Sequence, residues 1–358
     1  MLITDHSLLI RIEKEIMMAD VIRGAVIGYG AAFNMGRHHA GQLKATEGLD
    51  CVAICDADKA RTDAAKVDFP DVKVYNDYKK MLKTEKNIDL CIVVLPHYLH
   101  APVAIDCLKA GKHVITEKPF CITIAEATEM INIAREKGTM VTVFHNRRWD
   151  ADFWTLKELV DSGVIGKVFH VEMWGGGYGH PGKWWRADKV ISGGAFYDWG
   201  AHYLDWLLNI ITAKMVNVTG YFHPNRVWLD ATNEDHVEAV IRFEDGAVAN
   251  VQMSQIAKVG KPRWRLLGEK GAIVSEGDGF RVLSVDPEFP ADEVVKFHGR
   301  PGPGYYQNIA VHLLKGEELI VKPEEARRVI AVMDLAEKSS KSFQSEPVPY
   351  EHEGCCCK

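Results

Sequence analysis

Ile22-Arg23-Gly24-Ala25-Val26-Ile27-Gly28-Tyr29-Gly30 decides how this chain folds. A short apolar run leads straight into glycine, the pattern of a buried strand that ends in a tight turn. From Arg37 an apolar–polar texture suits a helix, and Cys51–Cys55 (CVAIC) is a second apolar run that stops at Asp56. Strand, glycine turn, helix, strand and acid together form the fingerprint of a dinucleotide site. The glycines allow a tight turn and a close approach to a pyrophosphate. The helix amino terminus faces the phosphates, and the carboxylate receives ribose hydroxyls. Asp56 falls 26 residues after Gly30, near the usual separation of about 20. The third glycine of the fingerprint is missing, because position 33 is Phe33 and the next glycine is Gly36. We read Ala31–Asn34 as an enlarged turn. Gly28, Gly30, Ala32 and Phe33 then border the cofactor, and Gly36 takes the helix-packing role.

Working outward, the alternation continues. Val72–Tyr75 is a short edge strand, and Asp89–Leu95 (DLCIVVL) is a continuous apolar run suited to burial on both faces. Pro96-His97-Tyr98 turns the chain into a helix over His100–Ala110. His113–Thr116 is the next strand, and Met140–Phe144 another. Between them Thr123 and Glu126 have capping-box spacing and open a helix over Ile124–Lys137. Strands separated by helices pair in parallel, so residues 21–146 read as a doubly wound α/β domain. Such sheets bind ligands at the carboxyl ends of their strands. Pro96, His97 and His100 fall there. One of the two histidines touches the nicotinamide or its ribose, and the other caps or packs. Glu117, Lys118 and Pro119 also fall there, directly after a strand. A lysine at that edge is cheap in water and costly in a dry crevice.

After His145 the texture changes. A helix over Asp150–Asp161 precedes an alternating stretch, Val168–Trp174. A helix over Gly194–Ile211 follows, then strands: Met215–Phe222, His236–Phe243, Ala247–Gln255, Trp264–Leu267, Ala272–Ser275 and Phe280–Ser284. Two helices close the chain, Tyr305–Leu314 and Pro323–Ser340. Residues 147–348 therefore read as an α+β domain with a large, mostly antiparallel sheet. Residues 1–20 read as an N-terminal extension, and 349–358 as a flexible tail.

The 358 residues exceed what one core usually holds, consistent with two domains. With 47% hydrophobic and 26% charged residues, the composition is that of an ordinary globular protein. A net charge of −6 gives no electrostatic case for nucleic acid, and no apolar run is long enough for a membrane helix. Charges interrupt Met1–Asp20 too early for a signal peptide. Cys51, Cys55, Cys91, Cys107 and Cys121 sit in apolar contexts and read as reduced residues of a cytoplasmic protein. Cys355–Cys357 lie in a polar tail, and we assign them no function.

Asp198 and His202 lie four apart in the expected helix, on one face. There a carboxylate orients the imidazole and favours its charged form. A surface Asp–His pair has the same spacing, but Phe196, Trp199 and Trp206 argue for a buried helix. Tyr178–Arg186 (YGHPGKWWR) fits two readings. Its aromatic faces suit a sugar or polyol ring, and they equally suit a lid packing on its own domain. His38, His39 and His145 lack the spacing of a metal site, and we expect none.

Taken together, these features resemble the glucose–fructose oxidoreductase / inositol dehydrogenase / rhizopine-catabolism (Gfo/Idh/MocA) family over about Val21–Val348. Glu117-Lys118-Pro119, Asp198-x-x-x-His202 behind a glycine pair, Pro96-x-x-x-His100 and Gly316–Ile330 (GEELIVKPEEARRVI) carry the resemblance. It implies a Rossmann domain holding NAD or NADP, and a C-terminal sheet that builds dimers or tetramers. It also implies Lys118, Asp198 and His202 at the hydride-transfer site. The activity implied is oxidation or reduction of a hydroxyl-bearing carbon of a sugar, glycoside or inositol-like polyol. Two alternatives stand beside it: a redox-assisted glycosidase or lyase that recycles its NAD, and a non-catalytic NAD-binding regulator. We expect NAD rather than NADP, because Asp56 repels a 2′-phosphate, although Arg61 is near enough to soften this. His202 is the expected acid/base, with Lys118 polarising the same oxygen. The expected substrate contacts are Lys118, His145, Arg148, Tyr178, Trp184, Trp185, Arg186, Asp198 and His202.

Overall fold

The structure is a computed structural model that describes residues 21–351 apart from 31, 32 and 288–290. The N-terminal extension, Ala32 and Cys355–Cys357 lie outside the described residues.

Six parallel strands form the first sheet: β1 (Ile22–Ile27), β2 (Leu49–Cys55), β3 (Lys73–Tyr75), β4 (Leu90–Val93), β5 (His113–Thr116) and β6 (Val141–Val143). Their order is β3-β2-β1-β4-β5-β6, the doubly wound arrangement expected. The order reverses between β1 and β4, and the reversal opens a crevice at the carboxyl ends. All four residues of β4 are buried, which explains a run without alternation.

The second sheet has nine strands: β7 (Val168–Gly176), β8 (Met215–Pro224), β9 (Glu234–Phe243), β10 (Val248–Ser254), β11 (Trp264–Gly268), β12 (Gly271–Glu276), β13 (Gly279–Ser284), β14 (Ala291–Lys296) and β15 (Glu346–Pro347). Their order is β14-β13-β12-β11-β7-β10-β9-β8-β15. Only β7 and β10 pair in parallel among the described strands, so the sheet is mixed but mostly antiparallel. Helices Gly200–Ile210 and Pro323–Ser342 pack against one face. On the other face β9 leaves His236, Glu238 and Val240 half-buried and Arg242 exposed. Neither β14 nor β15 is expected from sequence. β14 is a largely exposed edge with no apolar run, and β15 is two residues long.

The closing helices reach back to the first domain. Tyr305 donates its hydroxyl to Val143 O at 3.0 Å, and Asp334 Oδ2 accepts Ile124 N at 3.1 Å. Thr142 Oγ1 donates to Val321 O at 2.7 Å. The tail also begins later than expected. Pro349–Glu351 forms a 3₁₀ turn, and Arg328 Nε donates to Glu351 Oε1 at 2.6 Å.

The expected helix over Gly194–Ile211 is broken. Ala195–Tyr197 forms a 3₁₀ turn, Asp198 leaves helical geometry (φ −84°, ψ −91°), and the α-helix starts at Gly200. Gly193 and Gly194 precede it at φ 86° and 128°, backbone that side chains rarely adopt.

Candidate active site

The glycine turn is built as its sequence requires. Gly28 has φ 103°, and a Cβ there would lie 1.8 Å from Val94 O, so only glycine lets β1 end against β4. A Cβ on Gly36 would lie 2.3 Å from Gly28 O. Gly36 therefore does take the helix-packing role, three residues late. Phe33 and Asn34 make the enlarged turn with φ 58° and 50°. No side chain caps the helix Met35–Ala45, so its first-turn N–H groups remain available to an anion. Asp56 accepts Tyr29 N at 2.7 Å and Asp58 N at 2.9 Å, which holds the carboxylate at the end of β2. The crevice above this turn measures about 340 Å³ and is bordered by Gly30, Phe33, Pro96, His97, Glu117 and Lys118. Backbone donors, close approach and a carboxylate on its rim fit a dinucleotide.

Beside it, and sharing Lys118, lies a second hollow of about 280 Å³. Asn146, Arg147, Asp198, Trp199 and His202 border it. Glu117 anchors the lysine: one oxygen accepts Lys118 N at 2.9 Å, and the other meets His39 Nε2 at 3.0 Å. His39 in turn bonds the Tyr306 hydroxyl. Burial alone would raise the Glu117 carboxyl, but the His39 hydrogen bond and the Lys118 charge outweigh it and hold it low. Lys118 Nζ donates to Asp198 Oδ1 at 2.5 Å and to Asp198 O at 3.2 Å. Arg186 donates to the same Oδ1 at 2.8 Å. Burial opposes charge on Asp198 too, but these two cations win and keep it ionised.

Asp198 therefore serves Lys118 and Arg186, not His202. The break before Gly200 removes the helical register on which the expected Asp198–His202 pairing rests. His202 Nδ1 is buried without a hydrogen-bond partner. Burial first, then the charges of Lys118, His145, Arg147 and Arg186, push the His202 imidazole well below its ordinary range. His202 is neutral near pH 7, opposite to the charged form expected.

Other expected site residues divide. His97 borders the cofactor crevice, and its Nδ1 lies 2.6 Å from Ser192 O. His100 is the packing histidine: it is fully buried, with ring nitrogens 2.6 and 2.7 Å from Pro119 O and Leu95 O. It does not reach the crevice. Trp185 packs edge-on against His97 with centroids 4.9 Å apart, and Trp184 against Phe33 at 5.5 Å. Arg186 lies over Phe33, Trp184 and Trp185. Of the loop, Trp185 and Arg186 border the cofactor crevice, and Arg186 alone reaches the second hollow. The tryptophans thus cover the cofactor side rather than the substrate side. Tyr178 is 45% exposed and packs with Trp228 and Lys258, away from both hollows. Arg148 is buried in a bidentate pair with Asp205, at 2.8 and 2.6 Å, and faces away from the site. His145 is buried behind His202, with ring centroids 6.0 Å apart.

Sequence reasoning missed Asn146, Arg147, Trp199 and His39. Asn146 and Arg147 follow β6 at the sheet's carboxyl edge, the same signal that marks Lys118 after β5. Nothing in the sequence marks His39, which reaches Glu117 only through the fold.

A dinucleotide crevice flanked by a lysine, a histidine and an acid defines a nicotinamide-dependent oxidoreductase. Residues 22–145 match the oxidoreductase family with an NAD-binding Rossmann fold, and residues 153–274 match the GFO/IDH/MocA C-terminal domain. The chain belongs to the Gfo/Idh/MocA family. It is 31% identical to the uncharacterised oxidoreductase YdgJ of Escherichia coli K12, over 73% of this chain and 72% of that protein. It is 28% identical to the scyllo-inositol 2-dehydrogenase (NADP(+)) IolW of Bacillus subtilis, over 93% of this chain and 97% of that protein. The solved NAD-binding protein from Listeria innocua has a TM-score of 0.80 at 25% identity, covering 93% of this chain and 99% of its own.

Proposed function

We propose that this protein is an NAD-dependent dehydrogenase of a sugar, glycoside or inositol-like polyol. It moves a hydride between the nicotinamide and a hydroxyl-bearing carbon. The observation that carries the reading is the convergence of Lys118 and His202 on one hollow beside the cofactor crevice. Bound NAD supplies the hydride acceptor. The chain must then position a hydroxyl and take its proton. A neutral, buried His202 has a lone pair to offer as the base. The Lys118 ammonium donates to the same oxygen and stabilises its developing negative charge. Asp198 sets the place of that ammonium. Phe33 and Trp199 supply apolar faces for the C–H surfaces of a ring. The homologous inositol dehydrogenase supports a polyol.

NAD is favoured over NADP by the Asp56 carboxylate, although IolW is named for NADP. The test is a panel of sugars, glycosides and inositols offered with each cofactor, read by NADH or NADPH formation. Oxidation with NAD preferred is the expected result. Preference for NADP overturns the role of Asp56. Turnover without net NADH moves the reading to the redox-assisted glycosidase.

A further inference from the structure

Three ring nitrogens behind the catalytic hollow lack a hydrogen-bond partner among the described residues: His202 Nδ1 and both nitrogens of His145. His145 and His202 are 1% and 5% exposed, so bulk water does not reach these atoms. Buried polar groups without partners are costly and rare, and adjacent ones call for a shared explanation. The two rings are perpendicular with centroids 6.0 Å apart, a gap that one bridging water spans. On its far side His145 Nδ1 lies 3.5 Å from Asp205 Oδ2. Asp205 is ionised and fixed, because Arg148 grips both its oxygens while itself bonding Ile320 O at 2.8 Å.

From this geometry we infer that His145 is a positioning residue that fixes the tautomer of His202. The inference rests on the reading of His202 as the base. The carboxylate of Asp205 takes the Nδ1–H of His145. His145 Nε2 is then an acceptor on the His202 side, and it holds the proton of His202 on Nδ1. That leaves the lone pair of His202 on Nε2, the nitrogen not buried behind the hollow. A base needs this tautomer, because the opposite one would aim a proton at the substrate hydroxyl. When His202 takes the hydroxyl proton it becomes the cation, and the Asp205–His145 pair faces it with its negative end. The charged groups around the pair are otherwise Lys118, Arg147, Arg148, Arg186 and Glu117. The cations oppose a charged His202, which leaves Asp205, acting through His145, as its support from behind.

The experiment is nitrogen NMR of the NAD-loaded full chain with labelled histidine, His202 being assigned from a His202→Gln variant. In the wild type His202 should carry its proton on Nδ1. His145→Gln keeps an acceptor and should preserve that tautomer, with kcat reduced less than about tenfold. His145→Phe removes the acceptor, and should give mixed tautomers and a kcat loss of about 10–100-fold at unchanged KM. A wild-type proton on Nε2, or a Phe variant with tautomer and kcat unchanged, overturns the inference. If the Phe variant does not fold, the wild-type tautomer decides alone. The tautomer needs no substrate to be read, so failure of every alcohol tested would strike the dehydrogenase reading and leave this result standing.

Discussion

At the residue scale, the chemistry is divided between Lys118 and His202, and Asp198 belongs to the lysine. His202→Ala should lower turnover by about 10²–10⁴-fold with NADH binding preserved, since it removes general base catalysis alone. Lys118→Ala should cost at least as much, because it also leaves Asp198 with one cation instead of two. Stopped-flow turnover with an NADH titration separates the two effects. Near-normal turnover in His202→Ala with a dead Lys118→Met would make the lysine the base. Acid should also weaken the fold. Burial lowers the His145 pKa to about 4 from an ordinary 6.5. Between these values the unfolded chain binds a proton that the folded chain refuses. The stability is therefore complete above pH 6.5 and falls as pH drops to about 4, by about 3 kcal/mol. His202, shifted the same way, adds to the loss. Denaturant midpoints across this window should fall with pH in the wild type and fall less steeply in His145→Phe.

At the element scale, the loop carrying Trp184–Arg186 joins the glycine turn to the catalytic acid. Arg186 stacks on Phe33 and donates to Asp198, so one side chain touches both the cofactor turn and the reaction site. Trp185 borders the cofactor crevice and not the second hollow. Trp185→Ala should weaken NADH binding by about tenfold, the size of one lost aromatic contact, with a smaller change in substrate KM. Fluorescence titration with NADH measures it. Unchanged cofactor affinity with a raised KM would return the loop to the substrate. The helix that begins at Gly200 shows the same economy of local geometry. Had it started at Gly194, the Asp198 carbonyl would sit in a helical ladder and could not meet Lys118.

At the scale of the whole molecule, the nine-stranded sheet has one face under helices and one half-exposed. A half-apolar face of this extent suits a partner sheet, and a homo-oligomer through it is our expectation. Val240 stands mid-strand on that face, opposite Asn250 and Thr219. Sedimentation should give a dimer or tetramer for the wild type, and Val240→Arg should shift it to smaller species with NADH binding retained. A wild-type monomer at working concentration would refute the interface. The two sheets also depend on each other, because Tyr305, Tyr306 and Asp334 of the closing helices bond groups of the first domain.

Much of this was legible in the residues alone. Glycine turns, buried apolar runs and an acid after a strand are local signals, since backbone sterics and burial act over a few neighbours. They determined the parallel domain, the site of Lys118, and the substitution of Gly36 for the missing third glycine. The capping box at Thr123 and Glu126 is local in the same way, and both of its hydrogen bonds are present. The partnership of Asp198 was not local. Its two cations come from residues 80 and 12 positions away, and together they outweigh the propensity that reads Gly194–Ile211 as one helix. Arg148 could not be placed for the same reason. Its neighbour Arg147 borders the substrate hollow while Arg148 turns inward to Asp205, 57 residues on. Charged side chains of one type are equivalent in a sequence. Only the fold decides which of them meets water, which a buried acid, and which the reacting oxygen.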